Sequence, residues 1–251
     1  MTEYNKYIDN FGRSFDLVGN ISFDANTNFC LLGDLVIETT QKSFDPFVES
    51  KESYIFQSKK NPNIGYKLYK DYKTLKYNKY NDNVLLQKLL SRNYDIKMTN
   101  FPKKVLTINN IVIGQEIPFY PNSLTLKEYF EEYKDIDALL IYQKVLLILK
   151  ELFDNGIVYL DTHYKNFMIN PLTGKVNVID FDSDFILFDK KTIEYQKQVL
   201  YLYINMINKL SKNYCPDDKE QEFNISDDFQ NLFEQINLKR KKLINEGRSY
   251  E

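Results

Sequence analysis

Hydrophobic residues along the chain change period from strand-like to helical. From Asp137 to Asn155, Tyr142, Val145, Leu146, Leu149, Leu152 and Phe153 recur at i, i+3, i+4 spacing, and Gly156 follows as a stop signal, so this stretch reads as a helix with one buried face. Ile193–Leu210, Asp227–Leu243 and Tyr80–Arg92 carry the same period, the last through Val84, Leu86, Leu89 and Leu90. Strand-like runs lie mostly in the N-terminal half: Phe47–Ser50, Tyr54–Ser58 and Ile64–Tyr69 form a meander, with Asn61-Pro62-Asn63 as a turn. Val105–Ile108 and Ile111–Gly114 read as a hairpin around Asn109-Asn110. Further on, Ile157–Tyr159 forms a short apolar strand, and a turn at Asn170–Gly174 feeds a second one that ends on Asp180. Residues 1–41 carry the weakest pattern, with short strands expected at Ile21–Phe23 and Leu31–Ile37. Strands segregated from helices in this way predict an α+β fold.

Composition narrows the class. The 251 residues are 43% hydrophobic and 15% aromatic, enough for a substantial core in one domain or two small lobes. The formal charge is −2 and no long basic block occurs, so nucleic acid is not the expected partner. The basic run Lys239–Lys242 near the end of the last helix suits a solvated helix C-terminus. Cys30 and Cys215 lie far apart without metal-ligand spacing and read as reduced thiols. No segment approaches the roughly 20 apolar residues that cross a bilayer. The expectation is a cytoplasmic protein with no membrane span.

The chemistry concentrates between Gly156 and Asp184. Asp161 follows an apolar strand, His163 and Asn166 lie two and five residues further on, and Asp180 ends the next strand in the run Val-Ile-Asp-Phe-Asp. Phosphoryl transfer from a nucleotide needs a carboxylate beside the attacking hydroxyl and oxygen ligands that hold Mg²⁺ between phosphates. This arrangement, D-x-H-x-x-N followed by V-x-V-I-D-F-D, resembles the catalytic and metal-binding loops of the protein-kinase-like superfamily, especially its aminoglycoside phosphotransferase, choline kinase, lipopolysaccharide kinase and compact bacterial branches. The resemblance implies a bilobal fold, with a small antiparallel β lobe and a compact, mainly helical lobe. It implies that Asp161 orients or deprotonates the acceptor, and that Asn166 and Asp180 hold Mg²⁺. His163, the only histidine, stands where the aminoglycoside-kinase branch has His, and reads as a packed, hydrogen-bonded residue. Tyr159 and Leu160 replace the His-Arg of protein kinases, and Asp182 replaces the glycine after Asp-Phe.

The same resemblance assigns roles upstream. Alternation puts Gly65, Lys67 and Tyr69 on one strand face, and the family has a small residue two before the lysine that contacts the α- and β-phosphates; Gly65 and Lys67 fit that pair. The glycine-rich loop falls on Val48, Ser50 and Ser53, so two serine hydroxyls stand where glycine amides would meet phosphate. Asp82, with Leu86 and Leu89 after it, matches the acid that pairs with the lysine. Glu116 and Ile117 match the hinge that presents its backbone to adenine, and Ser123 or Thr125 can cap the helix that follows. The implied organisation is an N-terminal extension at 1–41, an N-lobe at 42–116 and a compact C-lobe at 117–251. The implied function is a kinase that uses ATP and Mg²⁺ to phosphorylate a hydroxyl, with protein Ser/Thr the first choice of acceptor. A small-molecule or saccharide hydroxyl is the alternative acceptor, and a non-catalytic scaffold is the alternative from a different class.

Overall fold

The structure is a computed structural model that describes residues 4–8, 14–18, 23–24, 29–32, 35–38, 48–49, 53–58, 61–69, 99, 101–108, 111–133, 137–181, 185–189, 191–214, 223–224, 226 and 228–247. It is α+β, with small antiparallel sheets and separate helices. The chain divides into two compact units, residues 1–94 with 101–121, and residues 95–100 with 122–251.

In the first unit, β1 (Tyr4–Ile8) and β2 (Ser14–Val18) form a hairpin, and β3 (Phe23–Asp24), β4 (Phe29–Leu32) and β5 (Leu35–Glu38) a three-stranded meander. The expected single strand at Leu31–Ile37 is thus two strands. The two strands pair antiparallel, with Leu32 opposite Leu35. The main sheet has five strands in the order β6 (Val48–Glu49), β7 (Ser53–Gln57), β8 (Ile64–Tyr69), β10 (Ile111–Pro118), β9 (Lys104–Ile108). The turn between β7 and β8 is held by the Asn61 side chain, which accepts the Asn63 N–H at 3.0 Å, and by Gln57, which donates to the Pro62 carbonyl at 3.0 Å. Strand β10 runs four residues beyond its expected end because both of its edges are occupied, by β8 and by β9. The helix expected at Tyr80–Arg92 lies outside the described residues.

The second unit is built on its helices. Helix α1 (Leu126–Glu132) follows the short strand β11 (Leu124–Thr125) and starts with a reciprocal capping box: Thr125 Oγ1 accepts the Glu128 N–H, and the Glu128 carboxylate accepts the Thr125 N–H at 2.8 Å. Helix α2 (Ala138–Asp154) is capped by Asp137, whose Oδ1 accepts the Leu140 N–H at 2.9 Å while Oδ2 binds Arg240. It ends where Gly156 takes φ +79° and returns its N–H to the Phe153 carbonyl. Its expected stripe is fully buried, and each such side chain contributes about 1.5–3 kcal/mol. Helices α3 (Ile193–Tyr214) and α4 (Phe229–Asn245) pack on α2. Buried polar groups fix that packing: the Tyr142 and Ser211 hydroxyls share a hydrogen bond, Tyr203 donates to the Tyr142 carbonyl, and Gln143 donates to Asn237. The basic run is partly structural, since Arg240 pairs with the α2 cap and the Lys239 ammonium lies 4.8 Å from the Phe223 ring centroid. Among the described residues no helix is long and apolar enough to cross a membrane.

Candidate functional site

Asp161, Asn166 and Asp180 belong to the second unit, on two small sheets joined by a loop. Strand β12 (Ile157–Tyr159) delivers Asp161 and pairs with β15 (Ile186–Phe188). The hairpin is a separate pair, β13 (Phe167–Ile169) with β14 (Val176–Val178). The two acids therefore follow strands of different sheets, because β12 finds its partner downstream of Asp180. At the hairpin tip, the Asn170 side chain accepts the Leu172 and Thr173 N–H groups, and Lys144 of α2 donates to the Gly174 carbonyl at 2.6 Å.

Backbone and side-chain bonds close a circuit through the motif. The Asp161 carbonyl accepts the Asn166 Nδ2–H at 3.0 Å and the His163 N–H at 2.8 Å. The Asn166 carbonyl accepts the Ile179 N–H at 2.9 Å, and the Ile179 carbonyl accepts the Tyr159 hydroxyl at 2.7 Å. Tyr159 lies two residues before Asp161, so the circuit returns to its start. With its amide nitrogen committed to Asp161, the Asn166 side chain keeps its oxygen as the end able to ligate a cation. Asp180 has φ +68°, a left-handed conformation that Asp and Asn tolerate better than other non-glycine residues.

Tyr159 escaped the sequence reading as a site residue. It is buried, with its ring 5.4 Å from Phe181 and 6.2 Å from Phe167. The available signal was a tyrosine inside an apolar strand, since a buried phenol needs a hydrogen-bond partner. Thr162, the neighbour of Asp161, has a buried hydroxyl with no hydrogen-bond partner among the described residues.

His163 precedes the 3₁₀ turn Tyr164–Asn166, and its Nδ1 accepts the Lys165 N–H at 3.3 Å. The expected hydrogen bond is present, but the ring is exposed rather than packed into a core. It lies against Tyr164, with centroids 4.0 Å apart and the planes tilted by 38°. Partial desolvation lowers its pKa, opposed by Asp161 and reinforced by Lys165 and Lys209. With Nδ1 accepting, a neutral His163 ring carries its proton on Nε2.

The remaining candidates lie in the first unit. Lys67 is on β8, half-buried, opposite Ile55 and Gln115. Gly65 is opposite Ile117, and a Cβ there would meet the Phe119 ring at 3.1 Å and Ile117 at 3.4 Å, so Phe119 fills the room that glycine leaves. Glu116 and Ile117 lie within β10; the Glu116 carbonyl accepts the Lys103 N–H at 2.6 Å, and the Phe119 N–H donates to the Asn63 carbonyl at 2.7 Å. Ser53 is buried and begins β7, one residue before the expected start at Tyr54. Ser50 and Asp82 lie outside the described residues. Among the described residues no group of three or more His, Cys, Asp or Glu side chains clusters as a metal site. A set of one amide oxygen, one carboxylate and nucleotide phosphates does not require such a group. No family model matches the chain, and no curated protein matches it.

Proposed function

We propose that the chain is a phosphotransferase of protein-kinase-like type that uses ATP and Mg²⁺ to phosphorylate a hydroxyl, with the bilobal organisation this implies. The observation that carries the reading is the bonded circuit, because it ties the Asn166 amide and the residue before Asp180 to the loop bearing Asp161. In this reading Asp161 orients the acceptor hydroxyl and takes its proton. Asn166 and Asp180 would hold Mg²⁺, which supplies charge neutralisation on the phosphates, and Lys67 would contact those phosphates. Asp82 would pair with Lys67, and Ser50, Ser53 and the Gly65, Glu116, Ile117 surface would meet the nucleotide. Acceptors on protein Ser/Thr and on small molecules or saccharides both suit this chemistry.

The experiment is incubation of the purified chain with labelled ATP, Mg²⁺ and candidate acceptors, itself included, beside two variants. Asp161→Asn is expected to keep nucleotide affinity and to lose about 10²–10⁴-fold in transfer, since the lost interaction acts in the transition state. Asp180→Asn is expected to weaken Mg²⁺-nucleotide binding and to abolish transfer. Wild-type transfer that survives either change refutes the corresponding role.

A second reading, a non-catalytic scaffold, draws support from the first unit, where Phe119 covers Gly65 and the Glu116 carbonyl already has a donor. A chain that binds no nucleotide and transfers to no acceptor favours it.

A further inference from the structure

The loop carrying Asp161 is bordered by donors and cations. His163 is exposed, and with Nδ1 accepting the Lys165 N–H its donor is Nε2–H. Lys209, on α3, sets its ammonium 5.8 Å from the Tyr164 ring centroid, and that ring lies against His163. A lysine resting on an aromatic face gains cation–π stabilisation while its N–H donors stay able to bind an anion. Lys165 and Lys209 are both exposed, and neither pairs with a carboxylate among the described residues. The carboxylate of α1 near this turn is already engaged: Glu131 accepts from Lys127 at 3.5 Å and from the Tyr214 hydroxyl at 3.1 Å. Lys209, Tyr164 and His163 thus lie together at the turn that follows Asp161, which also bears Lys165, and the His163 ring feels the charges of Asp161, Lys165 and Lys209.

Resting on the phosphotransferase reading, we infer that the acceptor bears an anionic group, a phosphate or carboxylate, close to its reacting hydroxyl, and that Lys209, Lys165 and His163 hold that group. A neutral alcohol has nothing to offer these cations. An anionic one is drawn toward Asp161 by them, and its anionic end keeps away from the Asp161 carboxylate by like-charge repulsion, which leaves the hydroxyl as the end that approaches. A phosphorylated small alcohol and an acidic peptide segment share this chemistry, and transfer assays separate them.

Because His163 is the only histidine, its ring proton signals report on this rim without assignment ambiguity. Titration of the full-length chain with glycerol 3-phosphate at fixed pH, without metal or nucleotide, is expected to shift them saturably, whereas glycerol leaves them in place. Lys209→Met is expected to weaken that binding about three- to tenfold, while Lys150→Met, which removes a lysine paired with Asp154 on α2, leaves it intact. Circular dichroism of each variant separates misfolding from lost binding. In transfer assays the wild-type chain is expected to favour glycerol 3-phosphate over glycerol, or an acidic serine peptide over a neutral one; which pair shows the preference identifies the source of the anion. Saturable binding without transfer to any acceptor supports the anion site and counts against the phosphotransferase reading. No saturable shift, a shift indifferent to Lys209→Met, or equal transfer to charged and neutral acceptors overturns the inference.

Discussion

At the scale of single residues, geometry separates groups that the sequence treats alike. Asp161 and Asp180 both end short apolar strands, yet only Asp180 has a left-handed backbone. Asn is at home there and Ala is not, so Asp180→Asn removes the charge alone, whereas Asp180→Ala adds about 1–2 kcal/mol of backbone strain. The hydroxyl of Tyr159 can be tested in the same way. Tyr159→Phe is expected to cost about 0.5–1.5 kcal/mol in denaturant unfolding and to speed amide exchange at Asp180 and Phe181, since the bond to the Ile179 carbonyl is lost. Unchanged exchange there would show that the phenol holds nothing in place. His163 supplies a pH test in the metal-free chain. Its folded pKa is lowered from 6.5 by desolvation, so the unfolded chain takes up the proton first as pH falls. The contribution to stability is therefore fully present above about pH 6.5 and is lost as pH drops from there through the folded value. The opposing influence is Asp161, so Asp161→Asn is expected to move the histidine midpoint further down, as read from its ring proton signals. A midpoint that rises would reverse the assigned electrostatics. Type and spacing were enough to single out Asp161, His163 and Asp180 as candidates. The Tyr159 bond was not, because it joins residues 20 apart on different sheets.

Elements were legible where the signal is local. Helix α2 announces both ends: Asp137 is a favoured cap, Gly156 frees a positive φ, and the stripe between them has one period. The β7–β8 turn is equally local, since Asn61 binds the N–H two residues on. Pairing choices are not local. Nothing within Ile157–Tyr159 says that it joins Ile186–Phe188 rather than the neighbouring hairpin, and β10 outruns its expected end because flanking strands extend it. The α2 cap also had a hidden half, for Asp137 binds an arginine 103 residues away. Asp137→Ala is therefore expected to destabilise the chain by more than the roughly 1 kcal/mol of an ordinary cap, while Asp137→Asn keeps the cap bond and loses only the ion pair. Equal losses in the two variants, measured by chemical denaturation, would mean that the cap itself contributes nothing.

On the scale of the whole molecule, the α+β class followed from strands preceding helices, and the chain divides into two units. The segment 95–100 was not legible as part of the second unit. Thr99 forms a parallel bridge to Val178, a contact no local pattern encodes. The proposed function makes a demand on the molecule that neither unit meets alone, because Lys67 belongs to the first and Asp180 to the second. If both act on one bound nucleotide, their contributions to its affinity cannot be independent: a nucleotide released from the metal also loses its alignment with the lysine. Lys67→Met and Asp180→Asn are each expected to weaken Mg²⁺-ATP binding, and the double variant to fall short of the sum of the two losses by at least about 0.5 kcal/mol. Calorimetric titration of the four proteins closes the cycle. Losses that add within about 0.3 kcal/mol would show that the two residues serve no common ligand, and would remove Lys67 from the proposed site.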